Sequence, residues 1–148
     1  MAEPTPPVTY DNAALADRMT MFVPHAAALG MTLISSGKGK GMMSVAWRED
    51  LVGDPDTQVI ASGVVTALID HTCGLAINAV FDVPQPIATL DLRIDYLRPA
   101  APRAGITCEA VGYKTTRSIG FVRAEAWDVD RGDLVATAQA AFMLNPRG

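Results

Sequence analysis

The 148-residue chain has little of what marks secreted, metal-binding or nucleic-acid-binding proteins. Its two cysteines, Cys73 and Cys108, are too few for a disulfide framework and lie in no C-x-x-C or Cys/His metal spacing. The net charge of −4 and the dispersed arginines leave no basic face for nucleic acid. These absences predict a protein of the reducing cytoplasm that uses no metal ion or cofactor and binds no nucleic acid.

Neither a targeting signal nor a membrane span is recognisable. The first residues hold an early acid and several prolines, without a basic stretch followed by an apolar core. The apolar run from about Val59 to Phe81 approaches spanning length, but Asp70 and His71 interrupt it and flanking Lys/Arg anchors are missing. This run is therefore predicted to be a buried helix of a soluble protein that has no membrane partner.

Length and composition predict one folded domain. Apolar residues make up 49% of the chain, which is enough for one core at this length. The proline-rich residues 1–10 predict an extended N-terminal arm, and residues 11–148 predict a single domain. Asp11 is placed to cap a short N-terminal helix that ends before Pro24, which puts His25 in a loop.

Most of the remaining pattern is typical of strands. Alternating apolar residues from Leu90 through Leu92 and Ile94 to Tyr96 predict a half-buried strand. A polar turn inside Met31–Val45 predicts a hairpin, and Gly53 and Pro55 lie in a predicted loop. The loop covers Glu49–Gln58, and three further strand-like runs lie near Gly105–Tyr113, Ser118–Val129 and Asp133–Met143.

The segment from Ser62 to Val80 is apolar on nearly every face, which predicts a helix surrounded by protein, with Ser62 as its capping residue. A row of alanines shares one face of the last predicted strand with Leu134 and Phe142, and small side chains let a helix approach closely. The predicted fold class is α+β: an antiparallel sheet of five to six strands wrapped around one long central helix.

An ionisable residue, Asp70, interrupts this apolar helix. Because burial of a charge is costly unless it is paired or faces a cavity, the position favours either a structural carboxylate or a reactive one, and placement alone does not decide. A second feature is the helix start, where the N–H groups near Ser62 and Gly63 carry partial positive charge and could polarise a carbonyl group.

The two features lie too far apart to act on one carbonyl within one chain. Asp70 follows Ser62 by eight residues, or about 12 Å along the helix, whereas both groups must lie about 3 Å from the reacting group. Two antiparallel helices across a twofold axis would place each start opposite the partner's Asp70. The spacing thus predicts a homodimer with two sites, and a homotetramer built from two dimers stays open.

Two segments resemble a known family: Ala61-Ser-Gly-Val-Val-Thr-Ala-Leu-Ile-Asp70 and Thr89-Leu-Asp-Leu-Arg-Ile-Asp-Tyr-Leu-Arg-Pro-Ala100. They are similar to the phenylacetate-degradation (PaaI-like) hotdog thioesterases. The resemblance implies a hotdog fold and hydrolysis of an acyl-CoA to a free acid and coenzyme A. It also implies that Asp70 is the general base or nucleophile, that the Ser62 N–H binds the thioester oxygen across the dimer, and that Thr89 lies near the attacking water. Where the family usually has His-Gly-Gly, this chain has Ala-Ser-Gly.

Candidates for further substrate contacts are less specific. Arg98, followed by Pro99, and Arg117 are either ligands for the phosphates of coenzyme A or ordinary solvated arginines. His71 lies about 100° from Asp70 around the helix, which predicts that it points elsewhere, packed and hydrogen-bonded or else contributing to the site.

Two rival functions fit the same fold. A hotdog hydratase or dehydratase acting on acyl thioesters would need an acid/base pair, commonly histidine with a carboxylate, facing one tunnel. A non-catalytic acyl-CoA-binding dimer would keep the fold without turnover, which the Ala61-Ser62 departure allows. The identity of the acyl group is left open.

Overall fold

The computed structural model describes residues 23–145. This part of the chain forms a short helix α1 (Pro24–Leu29), a long helix α2 (Ser62–Asn78) and eight strands. The strands are β1 (Met31–Gly37), β2 (Lys40–Val45), β3 (Val52–Asp54), β4 (Val59–Ile60), β5 (Ile87–Tyr96), β6 (Ile106–Thr115), β7 (Ile119–Trp127) and β8 (Ala136–Leu144). The predicted N-terminal arm and the predicted helix from Asp11 lie outside the described residues.

Six strands form one antiparallel sheet in the order β1-β2-β6-β7-β8-β5, and α2 packs against its inner face. Leu68 and Ile77 of α2 are fully buried there, and each such side chain contributes about 2 kcal/mol through burial. The alanine row of β8 lies in the same core: Ala136, Ala138 and Ala140 are at most 6% exposed. The predicted α+β architecture is therefore confirmed.

The start and end of α2 differ in detail from the prediction. The capping position is Ala61, whose backbone is extended and whose carbonyl accepts the N–H groups of Val64 and Val65. Ser62 is instead the first helical residue, so its predicted capping role is wrong. The helix ends at Asn78, two residues before the predicted end, because the chain turns there through backbone hydrogen bonds to the last helical carbonyls.

Two connecting segments are more ordered than predicted. The predicted loop Glu49–Gln58 contains a 3-10 turn and strand β3, which pairs with β4 as a separate two-stranded sheet. His25, predicted to lie in a loop, belongs to the first turn of α1, where Pro24 occupies the first helical position. Gly30 ends that helix in the left-handed conformation.

A β-bulge interrupts the pairing of β5 with β8. Thr89 pairs with Phe142 and Asp91 pairs with Ala141, so Leu90 is an extra residue outside the ladder. The prediction that Leu90 shares the inner face with Leu92 is wrong, and its side chain is 50% exposed. Because the bulge shifts the alternation by one residue, Thr89 faces α2 in its place.

Along residues 23–145, none of the helices is long and apolar enough to cross a membrane.

Candidate functional site

One face of α2 is uncovered by the sheet and lines an open cleft of about 430 Å³, called the Asp70 cleft below. Gly63, Thr66, Ala67 and Asp70 all contribute to it. Their spacing of three and four residues places them on one stripe of the helix. The cleft therefore contains both features that the sequence singled out, the helix start and the carboxylate.

The Asp70 carboxylate is anchored from the neighbouring strand. Thr89 Oγ1 donates a hydrogen bond to Asp70 Oδ1 at 2.9 Å, and both residues line the Asp70 cleft. The bulge at Leu90 is the reason that this hydroxyl faces α2 rather than the outer side of the sheet. Asp70 is thus a fixed hydrogen-bond acceptor at a cavity, with one oxygen held by Thr89.

The start of α2 offers backbone donors to the same cleft. Val64 and Val65 bond back to Ala61, whereas the N–H groups of Ser62 and Gly63 have no backbone acceptor in residues 23–145. A Cβ added at Gly63 would meet no atom of the described residues within 4 Å, so the space beside its backbone is open there. These donors could bind a negatively charged oxygen.

The hydroxyl groups of Tyr96 and Thr66 contact a backbone carbonyl in the first turn of α2. The Tyr96 hydroxyl lies 2.9 Å from the Ser62 carbonyl oxygen and 2.5 Å from Thr66 Oγ1, which is itself 3.0 Å from that carbonyl. Tyr96 is the last residue of β5. The strand that anchors Asp70 through Thr89 therefore also contacts the helix start.

Both histidines of the sequence line the Asp70 cleft. His71 was predicted to point away from Asp70, but both side chains border the same space, because adjacent helical positions can flank one wide groove. His25 reaches the cleft from α1. The contribution of His71 to substrate binding stays a prediction, and His25 is a second histidine candidate for the same cleft.

The arginine candidates lie elsewhere. The Arg98 guanidinium binds both oxygens of Asp128, at 2.9 and 2.7 Å, and forms an ion pair with Asp133 at 3.1 Å. It also donates to the carbonyl oxygen of Pro99 at 3.0 Å. These internal bonds occupy Arg98 and argue against a role in phosphate binding. Arg117 is exposed in the turn between β6 and β7, where it stays a candidate for a phosphate ligand.

The two cysteines are buried and separate from the Asp70 cleft. Burial raises the pKa of the Cys108 thiol to about 12 and raises that of Cys73 well above its ordinary range. Neither residue is therefore suited to act as a thiolate nucleophile. No group of three or more His, Cys, Asp or Glu side chains in the described part of the chain is placed to hold a metal ion.

Sequence reasoning singled out Asp70, Ser62, Gly63 and Thr89. The structure brings Gly63, Asp70 and Thr89 to the Asp70 cleft, whereas Ser62 begins α2 and does not line the cleft. Sequence reasoning did not single out Thr66, which a helical projection could have placed between Gly63 and Asp70. The contacts of Tyr96 and His25 join residues far apart in the chain, so no local pattern signals them.

Comparisons with known proteins agree on the family to which this chain belongs. The model of the Thioesterase superfamily matches residues 58–135, more than half of the chain. A Halobacterium salinarum protein named provisionally as an esterase is 28% identical over 97 residues. That match covers 62% of this chain, and the chain spans 62% of the length of that curated relative.

Several solved structures share the fold. A Pseudomonas aeruginosa protein is 30% identical with a TM-score of 0.81, covering 90% of this chain and 98% of that protein. The phenylacetic acid degradation protein PaaI of Thermus thermophilus is 26% identical with a TM-score of 0.71, covering 82% and 98% of the two chains. Escherichia coli PaaI, at 20% identity and a TM-score of 0.76 over 90% of both chains, shares the fold. The chain therefore belongs to the thioesterase superfamily and is a PaaI-like protein with the hotdog fold.

Proposed function

We propose that this protein is an acyl-CoA thioesterase that hydrolyses its substrate to a free acid and coenzyme A. The observation that carries the proposal is the Thr89–Asp70 hydrogen bond at an open cleft, on the same helix face as Gly63, whose N–H group has no backbone acceptor within residues 23–145. A positioned carboxylate and a backbone oxyanion donor are the two groups that hydrolysis of a thioester requires.

In the proposed reaction, Asp70 takes a proton from water as the water oxygen attacks the thioester carbonyl carbon. In the alternative route the carboxylate attacks that carbon itself, and after the thiolate has left, water hydrolyses the acyl-aspartyl anhydride to release the free acid. The carbonyl oxygen becomes negative and is stabilised by the N–H groups of Ser62 and Gly63. The C–S bond then breaks and the coenzyme A thiolate leaves. Because a thiol has a pKa of about 8.5, its departure needs no strong general acid.

The active unit is proposed to be a dimer. Gly63 and Asp70 are seven residues apart, or about 10 Å along the helix, so one carbonyl group cannot contact both within one chain. Strand β5 lies at the edge of the sheet beside α2, with Tyr96 46% exposed and the following Leu97 57% exposed. An exposed apolar edge of this kind favours pairing with a second copy. That pairing would place each helix start opposite the partner's carboxylate.

The hydrolase proposal is tested by measuring the release of free coenzyme A from short, medium and aromatic acyl-CoAs. We expect wild type to hydrolyse at least one of them and Asp70→Asn to lose about 10³-fold in kcat. The matched control is Asp82→Asn, which removes one charge from a residue outside the Asp70 cleft and should leave the rate unchanged. Equal rates for Asp70→Asn and wild type would refute the assignment of the base.

Mixing two inactive variants tests the shared site. In a heterodimer of Asp70→Asn and Gly63→Val chains, one site combines both defects and the other keeps both native groups. Random assembly makes about half of the dimers heterodimers, so co-expression should restore about one quarter of wild-type activity if the sites lie across a twofold axis. If each chain carries a complete site of its own, co-expression restores none.

A second candidate function is supported by the two histidines at the Asp70 cleft. An acyl-thioester hydratase would use a histidine and a carboxylate as an acid/base pair, and His25 and His71 both border the space that Asp70 lines. Loss of enoyl-CoA absorbance without thiol release would favour this reaction. Tight binding of acyl-CoA without either reaction would favour the non-catalytic binding dimer.

A further inference from the structure

The hydroxyl groups of Tyr96 and Thr66 form a hydrogen-bond chain that ends on the Ser62 carbonyl oxygen. The two oxygens of the hydroxyl groups are 2.5 Å apart, so a proton must lie between them. Two hydroxyl protons are available, and the second is donated to the carbonyl. In either order of donation, one hydroxyl donates to the carbonyl and the other strengthens that bond by donating to the first.

The bond to Ser62 acts on the neighbouring donor. The Ser62 carbonyl and the Gly63 N–H belong to one planar peptide group, so fixing the carbonyl direction also fixes the direction of the N–H. A hydrogen bond accepted by the carbonyl also polarises the amide, which makes its N–H a stronger donor. We propose that Tyr96, acting together with Thr66 on the Ser62 carbonyl, is a positioning residue that orients and polarises the Gly63 N–H toward the thioester oxygen.

This inference rests on the proposed thioesterase function and adds a residue to its oxyanion site. Packing alone does not account for the contact, because the Tyr96 side chain is 46% exposed and a phenylalanine would fill the same space. The hydroxyl is held by its polar partners, both of which lie in the first turns of α2. Removal of the Tyr96 hydroxyl is therefore expected to weaken the Gly63 N–H as a donor while leaving the packing of the core intact.

Steady-state kinetics on the full chain provides the first test. We expect Tyr96→Phe to lower kcat by about 10-fold and to change KM by less than about twofold, since a donor to the developing oxyanion acts in the transition state. Tyr113→Phe is the matched control: Tyr113 is 47% exposed and its ring stacks beside Arg123 on the sheet. It should retain wild-type kinetics.

Variants of Thr66 test whether the two hydroxyl groups act together on the Ser62 carbonyl. Thr66→Ser keeps the hydroxyl and should stay within about threefold of wild type, whereas Thr66→Val should lose as much as Tyr96→Phe. The double variant should lose more than either single one, because the hydroxyl that remains in each single variant can still donate to the Ser62 carbonyl. A double variant with wild-type kcat would overturn the role of this carbonyl.

A measurement without substrate separates this inference from the proposed function. The amide resonance of Gly63, followed by NMR in the free protein, should move to higher field in Tyr96→Phe and stay in place in Tyr113→Phe. If wild type hydrolyses no thioester but the resonance moves, the proposed function fails while the positioning contact stands. If wild type is active and neither kcat nor the resonance responds to Tyr96→Phe, the Tyr96 inference alone is overturned.

Discussion

Arg98 and Asp128 form a two-pronged ion pair, with Nη1 2.9 Å from Oδ2 and Nη2 2.7 Å from Oδ1. The Asp128 side chain is only 2% exposed, and it also accepts hydrogen bonds from the N–H groups of Ala101 and Val129. The pair ties the segment after β5 to the end of β7. Arg98 thus belongs to the framework of the fold.

Asp128 should make stability depend on pH. The Arg98 guanidinium, together with the two N–H groups, holds the pKa of Asp128 well below its usual range. The carboxylate therefore stabilises the fold above the ordinary aspartate pKa of about 3.9, and this contribution is lost as the pH falls below that value toward the folded-state pKa. We expect Asp128→Asn to lower the free energy of unfolding by about 2 kcal/mol at neutral pH, with the difference from wild type shrinking in acid.

Urea unfolding at about pH 7 and near pH 3 measures this effect. Asp50→Asn is the control, because Asp50 forms a similar two-pronged pair with Arg48 but is 68% exposed, and solvent screening makes such pairs weak. A difference for Asp128→Asn that stays constant down to acid pH would contradict the electrostatic explanation.

Thr89→Val should impair turnover more than folding. Valine keeps the shape of threonine but cannot donate to Asp70 Oδ1, so the carboxylate loses its anchor. We expect kcat to fall about 10-fold, and Thr89→Ser, which keeps the hydroxyl, to stay within about threefold of wild type. Thioester hydrolysis measured beside thermal unfolding separates the two effects. Equal kcat values for the valine and serine variants would leave the hydroxyl without a role in catalysis.

Gly63→Ala should also lower activity without lowering stability. The added methyl group meets no atom of residues 23–145 within 4 Å, and alanine is the better helix former, so stability should hold or rise by up to about 0.5 kcal/mol. The same methyl group projects into the space where substrate approaches the backbone. We expect at least about a 10-fold loss of kcat/KM. Full activity in this variant would place the oxyanion site elsewhere.

Gly120→Ala, unlike Gly63→Ala, should lower stability. An added Cβ on β7 would overlap Cδ1 and Cγ1 of Ile77, which is fully buried on α2. Overpacking of this kind costs about 1–3 kcal/mol, measurable by urea unfolding. Wild-type stability would show that the helix and sheet can separate locally.

The fold was largely predictable from local patterns, because α2 and the large sheet repeat the same signal over many residues. Period-two alternation found four of the strands with errors of at most three residues at either end, and the apolar run found α2. The short pair β3 and β4 was missed, since two- and three-residue strands are too short to show a period.

The candidate site was predictable only in part. Asp70 stood out because a carboxylate contradicts its apolar surroundings, which is a local signal. Its contact with Thr89 depends on the bulge, and the contact of Tyr96 with Ser62 joins residues 34 positions apart. Alternation along β5 predicted that Leu90 points inward. The prediction failed because a pattern of period two does not reveal a single inserted residue.

The bulge at Leu90 also affects how this chain should be aligned with its relatives. Leu90 lies outside the ladder, so a relative that lacks this one residue could keep every pair between β5 and β8 and still direct its hydroxyl group at the carboxylate. The number of residues between this hydroxyl and the later part of β5 is therefore a poor guide to equivalence. The reliable reference is Phe142 on β8, which pairs with Thr89. The residue that pairs with this position on β8 is the partner of Asp70, whether or not the extra residue is present in β5.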